Sequence, residues 1–181
     1  MQEETYAIVV YLHGPLACFV NTLRCTLDPQ HFSKAPHVTV LPPRPLIISE
    51  GAALEEARCR LADWYPFEVE TVGVDTFLPQ NGVVHLQLGW GADPLRVLHD
   101  TLNQGHLRYG EPFPYVPHIT IAQDLDEPRT QELLERVRQE FHRYDGPRRF
   151  QVENCTFVRQ SPAGHWIDLA ELQIGRAPVL A

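Results

Sequence analysis

The 181-residue chain (20.7 kDa) carries 44% hydrophobic and 21% charged residues, enough apolar content for one well-cored domain and too much for a disordered polypeptide. Fifteen Lys and Arg against 23 Asp and Glu give a net charge of −8, which argues against a broad nucleic-acid-coating surface and leaves open a small anionic ligand held by a few local cations. No apolar run approaches the roughly 20 residues of a membrane span, so no membrane partner is expected.

Met1-Gln2-Glu3-Glu4 is acidic and enters a strand-like run directly, so no secretory leader is expected. Cys18, Cys25, Cys59 and Cys155 form no C-x-x-C pair. Cys18 and Cys25 fall two turns apart on one predicted helix, roughly 10 Å along its axis, too far for a disulfide. A reducing, cytoplasmic setting is the simplest reading.

In chain order, Thr5 to Leu12 reads as a buried strand. Gly14-Pro15 ends it, and Leu16, Phe19, Val20, Leu23 and Leu27 recur at helical spacing up to Asp28-Pro29. A short strand, His37 to Leu41, leads into a stiff Pro42-Pro43-Arg44-Pro45 stretch. Ser49 caps a helix with Leu54, Ala57, Leu61 and Trp64 on one stripe. Phe67 to Phe77 is a strand ending in a turn at Pro79-Gln80-Asn81-Gly82. Val83 to Trp90 alternates Val84, Leu86, Leu88 and Trp90 against His85 and Gln87. Asp93-Pro94 is expected to cap and open a helix bearing Leu95, Leu98 and Leu102. His118 to Ala122 is a second short strand, and Asp126 caps a helix with Leu133, Leu134, Val137 and Phe141 inward. Arg149 to Arg159 and His165 to Ile174 finish as two strands joined at Ser161-Pro162-Ala163-Gly164.

The second half replays the first. Pro36-His37-Val38-Thr39-Val40 recurs as Pro117-His118-Ile119-Thr120-Ile121, with a strand and a helix ahead of each copy. The expected architecture is α+β: a bilobal single domain of internally duplicated β-α units, with antiparallel-rich sheets around a central cleft. The lobes span about residues 1–78 and 79–181, with strand exchange between them allowed.

Residues i and i+2 of a strand share a face. His37 and Thr39 therefore point one way while Val38 and Val40 anchor the other, and His118 and Thr120 stand likewise over Ile119 and Ile121. One such copy is unremarkable as a half-exposed sheet surface; two in matched positions suit a shared site. Imidazole titrates near 6.5, so one ring can be neutral and its partner protonated near neutral pH. The neutral ring takes a proton from an attacking water and the imidazolium protonates a leaving oxygen. Threonine hydroxyls can donate to non-bridging phosphate oxygens between them.

His37-Val38-Thr39-Val40-Leu41-Pro42-Pro43-Arg44 and Pro117-His118-Ile119-Thr120-Ile121-Ala122-Gln123 resemble the paired His-x-Thr-x motifs of the 2H phosphoesterase superfamily. Within it the chain is similar to the bacterial 2′-5′ RNA ligase and cyclic phosphodiesterase branch. The resemblance implies His37 as acid and His118 as base in hydrolysis, with Thr39 and Thr120 on the phosphate; the residues themselves leave the two roles interchangeable.

Arg44 and Lys34 border the first motif and are expected to meet phosphate, against the plainer reading of solvated charge. Tyr115 and, less strongly, Phe113 lie in a proline-rich loop that can offer a ring to a base, although loop aromatics more often pack down. His85 and Gln87 either line the cleft or belong to an ordinary sheet surface, and His165 and Trp166 read as packing.

A Walker loop, G-x-G-x-x-G, H-E-x-x-H and G-x-S-x-G are all missing from the sequence. No third metal ligand sits beside either His, so neither a metal nor another cofactor is expected. The expectation is a metal-independent phosphodiesterase acting on a 2′,3′-cyclic phosphate of an RNA terminus or small nucleotide, as a monomer. A nucleotide- or RNA-end-binding module without turnover, or a reversible 2′-5′ RNA ligase, are the alternatives.

Overall fold

The computed structural model describes residues 4–27, 34–161 and 165–175. Thirteen elements follow one another: β1 (Thr5–Tyr11), α1 (Gly14–Leu27), β2 (His37–Arg44), α2 (Glu50–Leu61), β3 (Phe67–Thr76), β4 (Val84–Leu88), α3 (Ala92–Leu102), a 3₁₀ turn (Gly105–Leu107), β5 (His118–Ala122), α4 (Glu127–Arg143), β6 (Arg149–Val152), β7 (Asn154–Gln160) and β8 (Trp166–Gln173). The end of the first helix at Asp28-Pro29 and most of the last predicted turn (162–164) lie outside the described residues.

Two antiparallel four-stranded sheets form, ordered β2-β1-β7-β8 and β5-β4-β3-β6. In each, a His-x-Thr strand is the edge and the strand that opened its half lies beside it. The third strand of each sheet comes from the other half of the chain: β7 beside β1, β3 beside β4. The α+β architecture with duplicated units is therefore present, its halves interlocked by pairing.

Helix packing crosses between halves as well. α1 lies against β5 and α3 against β2, while α4 covers β3 and α2 meets β8. Leu16, Val20, Leu95, Leu98, Leu133 and Val137 join Val38, Val40, Ile119 and Ile121 in one buried cluster. The apolar alternates of both motifs are thus core, which leaves His37, Thr39, His118 and Thr120 on the opposite strand faces.

Ser49 caps α2, its Oγ accepting from the Ala52 amide at 3.3 Å, and Asp126 caps α4 through the Arg129 amide at 2.9 Å. Three expectations are corrected. The third helix starts at Ala92 with Gly91 as its cap at φ 83°, so Asp93 sits in the first turn and pairs with Arg96 instead. A Cβ at Gly91 would stand 2.3 Å from the Glu68 carbonyl, so only glycine admits this tight entry. The first motif strand runs on through Pro42-Pro43 to Arg44, which an edge strand with a bulge tolerates. The run 149–159 breaks at Glu153 into β6 and β7, one in each sheet.

Candidate active site

β2 and β5 are edge strands of different sheets, and they abut. That contact brings the two motifs together. Each begins with histidine after proline, and each histidine makes the same local bond: His37 Nδ1–H donates to the Ala35 carbonyl at 2.6 Å and His118 Nδ1–H to the Val116 carbonyl at 2.7 Å. A carbonyl only accepts, so the neutral rings hold their protons on Nδ1 and keep a lone pair on Nε2.

Burial lowers the proton affinity of both rings. His37 is pushed down to about 3, the Ala35 bond opposing and the charges of Arg24, Lys34 and His118 adding to the shift. Burial also lowers His118, with the Val116 bond opposing it. Without a ligand the pair is therefore neutral at neutral pH.

Aromatic rings wall each histidine. Trp166 lies 4.6 Å from His37 and Tyr11 meets it edge-on at 6.4 Å. The Tyr11 hydroxyl donates to Asp168 at 2.7 Å, and Lys34 Nζ sits 4.6 Å over the Trp166 ring. On the other side, Phe77 and His85 stack on each other at 4.2 Å and both stand edgewise to His118, at 4.9 and 5.1 Å. A cavity of about 530 Å³ opens beside His118 and Thr39, floored by Pro42, Pro43, Phe77, Phe113 and Tyr115. A second of about 550 Å³, lined by Tyr11, Asn21, Lys34, Trp166 and Asp168, lies on the His37 side.

The remaining expected site residues divide. Lys34 lines the second cavity, its ammonium affinity lowered by burial and by Arg24. Arg44 is not available to phosphate. It is 3% exposed, and its guanidinium donates to the Pro42 and Leu107 carbonyls, Asn103 and Glu111. The 2.6 Å ion pair with Glu111 makes it an internal strut. Tyr115 is likewise no free platform: His99 covers one ring face at 4.1 Å and its hydroxyl donates to the Thr39 carbonyl. Phe113, 56% exposed, stands on the wall of the first cavity.

Sequence reasoning missed Arg24 and understated His85 and Trp166. Arg24 Nε and Nη2 donate to the Thr120 carbonyl at 2.8 and 2.6 Å. Nothing local marks an arginine late in an amphipathic helix; its role follows from α1 packing on the far half. His85 carried a signal, a polar residue in a strand whose neighbours Val84 and Leu86 are buried. Among the described residues, no three His, Cys, Asp or Glu side chains gather in a way that could hold a metal ion.

The chain has relatives among known proteins in both sequence and fold. Residues 13–163 match the family model of the 2′-5′ RNA ligase superfamily. A protein of Oceanobacillus iheyensis named "Putative phosphoesterase" is 30% identical over 151 residues, covering 81% of this chain and 87% of its own. One of the same name from Halalkalibacterium halodurans is 24% identical over 172 residues, covering 94% and 98%. E. coli LigT, crystallised with 3′-AMP, superposes with a TM-score of 0.65 at 15% identity, covering 96% of this chain and 99% of that one. The ATP complex of LigT gives 0.65 at 16%, covering 97% and 100%. At such identity the structural likeness is one of fold, whereas the family-model match spans most of the sequence. The chain belongs to the 2′-5′ RNA ligase superfamily, the 2H phosphoesterases.

Proposed function

We propose that the protein is a metal-independent phosphodiesterase that opens a 2′,3′-cyclic phosphate on an RNA end or a nucleotide. The observation that carries this reading is the matched pair of Nδ1–carbonyl bonds, which leaves two Nε2 atoms for proton transfer. The phosphate anion enters between β2 and β5, and its charge favours protonation of one ring, offsetting the burial that keeps both neutral.

His37 stands near Lys34 and Arg24, which disfavour its imidazolium and hold it in the neutral state a base needs, and His118 then serves as the acid. This reverses the roles that the family resemblance implies. His37 Nε2 takes a proton from water as the water oxygen bonds phosphorus. The bond from phosphorus to one ribose oxygen breaks, and that oxygen receives the proton of His118 Nε2. Thr39 and Thr120 donate to the non-bridging oxygens, where charge accumulates. The product is a ribose phosphomonoester with one vicinal hydroxyl restored. The apolar cavity by His118 takes the nucleoside, with Phe113 against the base, and Lys34 supports the anion from the other side.

The test is incubation of the purified protein with the four 2′,3′-cyclic mononucleotides and with oligonucleotides ending in a cyclic phosphate, products read by mass. Gain of one water per molecule is expected. Tight binding with no product across the panel would favour a binding module instead.

A further inference from the structure

His85 takes no part in that chemistry, yet it touches the residue proposed as its acid. In β4 it pairs with Thr120 of β5, while Gln87 pairs with His118, so these four side chains share the cleft face of the sheet. His85 is 3% exposed and its Nδ1 is buried with no hydrogen-bond partner. An unpartnered buried nitrogen costs stability that a phenyl ring in the same place would not. Its neighbours hold it neutral. Burial and His118 push its affinity down to about 4 against a weaker pull from Asp75, which faces it from β3 and accepts a 2.9 Å bond from Gln87 Nε2. On the far side of the sheet, α4 presents Arg138 to the Val74 carbonyl.

The geometry is a corner of two flat rings. His85 and Phe77 stack within 21° of parallel, and His118 meets them at 64° and 86°. Turning the His118 ring about its Cβ–Cγ bond breaks the Nδ1 bond to the Val116 carbonyl, and the two flat rings beside it oppose the same turn by contact. We infer that His85 is a positioning residue, which with Phe77 holds the His118 ring so that Nε2 points to the substrate. The proposal rests on the functional reading above for its kinetic consequence and on ring geometry alone for its structural one.

The experiment compares His85→Leu, which removes the flat ring, with His85→Phe, which keeps it. Both are followed by the ring ¹⁵N signals of His118 and by kcat and KM on a 2′,3′-cyclic mononucleotide, with thermal melting to establish folding. His85→Leu is expected to lower kcat about tenfold with KM little changed, and to replace the Nδ1–H signature of His118 with a tautomer mixture. His85→Phe should restore kcat and signature, and melt at or above wild type. Wild-type kcat and unchanged His118 signals in His85→Leu would overturn the proposal. A His85→Phe as impaired as His85→Leu would also overturn it, since the nitrogen rather than the flat ring would then be needed. If the wild type opens no cyclic phosphate, the functional reading fails while the ¹⁵N comparison still decides the positioning role.

Discussion

The Tyr115 hydroxyl donates to the Thr39 carbonyl at 2.9 Å, tying the loop before the second motif to the backbone of the first. The reciprocal bond comes from Arg24 of α1, which holds the Thr120 carbonyl of β5. Each motif is thus fixed at its threonine by a side chain from the other half. Behind Tyr115 the strut continues through His99, whose Nε2 meets Glu111 at 3.0 Å, and on to Arg44. Tyr115→Phe removes one hydrogen bond of this set. A loss of about 0.5–1.5 kcal/mol in stability is expected from denaturant titration, with a fall in kcat exceeding any rise in KM because the motif separation loosens.

The proposed chemistry places turnover on four side chains. His37→Ala and His118→Ala should each lower kcat by about 10²-fold or more, and the double variant should fall well short of the product of the two losses. Thr39→Val and Thr120→Val should cost about 10- to 10²-fold each. The kcat profile should be bell-shaped in pH, since only the mixed protonation state works. Circular dichroism should show all five variants folded, because Val38, Val40, Ile119 and Ile121 carry the core contacts of these strands.

Arg44 and Lys34 should separate cleanly. Arg44→Ala leaves Glu111, largely shielded from water beside His99, without its cation, and a loss of about 3 kcal/mol is expected. Arg44→Lys should recover little, since one ammonium cannot replace four guanidinium bonds. Lys34→Ala should leave the melting temperature near wild type and raise KM, a difference that parallel melts and kinetics will show.

The histidines also set an acid limit on the fold. Unfolded histidine titrates near 6.5, whereas His37 and His85 are held at about 3 and 4 in the folded protein. Between these values the unfolded chain binds protons that the folded one refuses. Their stabilising contribution is therefore complete above about pH 6.5 and lost as pH falls toward 4. Melting followed from pH 7 to pH 4.5 should show this decline, and His85→Phe should flatten it. A wild-type melting temperature constant over that range would contradict the shifts.

The parts of the site legible in the sequence were those set by local periodicity. His37, Thr39, His118 and Thr120 stood out as candidates by strand alternation and repetition, and the helices by their apolar spacing, with caps at Ser49 and Asp126. Arg44 misled because its partners, Asn103, Leu107 and Glu111, lie some sixty residues away, and only the crossed packing of α3 on β2 brings them in. Trp166 comes from the opposite edge strand of the sheet that holds His37, a proximity no spacing rule contains. His85 was obscured because β4 is covered on both faces, by α4 on one and by the Phe77–His118 corner on the other, so alternation did not separate inside from outside.

The most direct measurement is turnover of a 2′,3′-cyclic phosphate by the wild-type protein and by His118→Ala, both after exhaustive EDTA treatment, with products identified by mass. The two-histidine reading predicts full wild-type hydrolysis to a phosphomonoester in EDTA and a loss of about 10²-fold or more in the variant. Activity that vanishes with EDTA and returns with one divalent ion, or a folded His118→Ala that turns over at the wild-type rate, would contradict it.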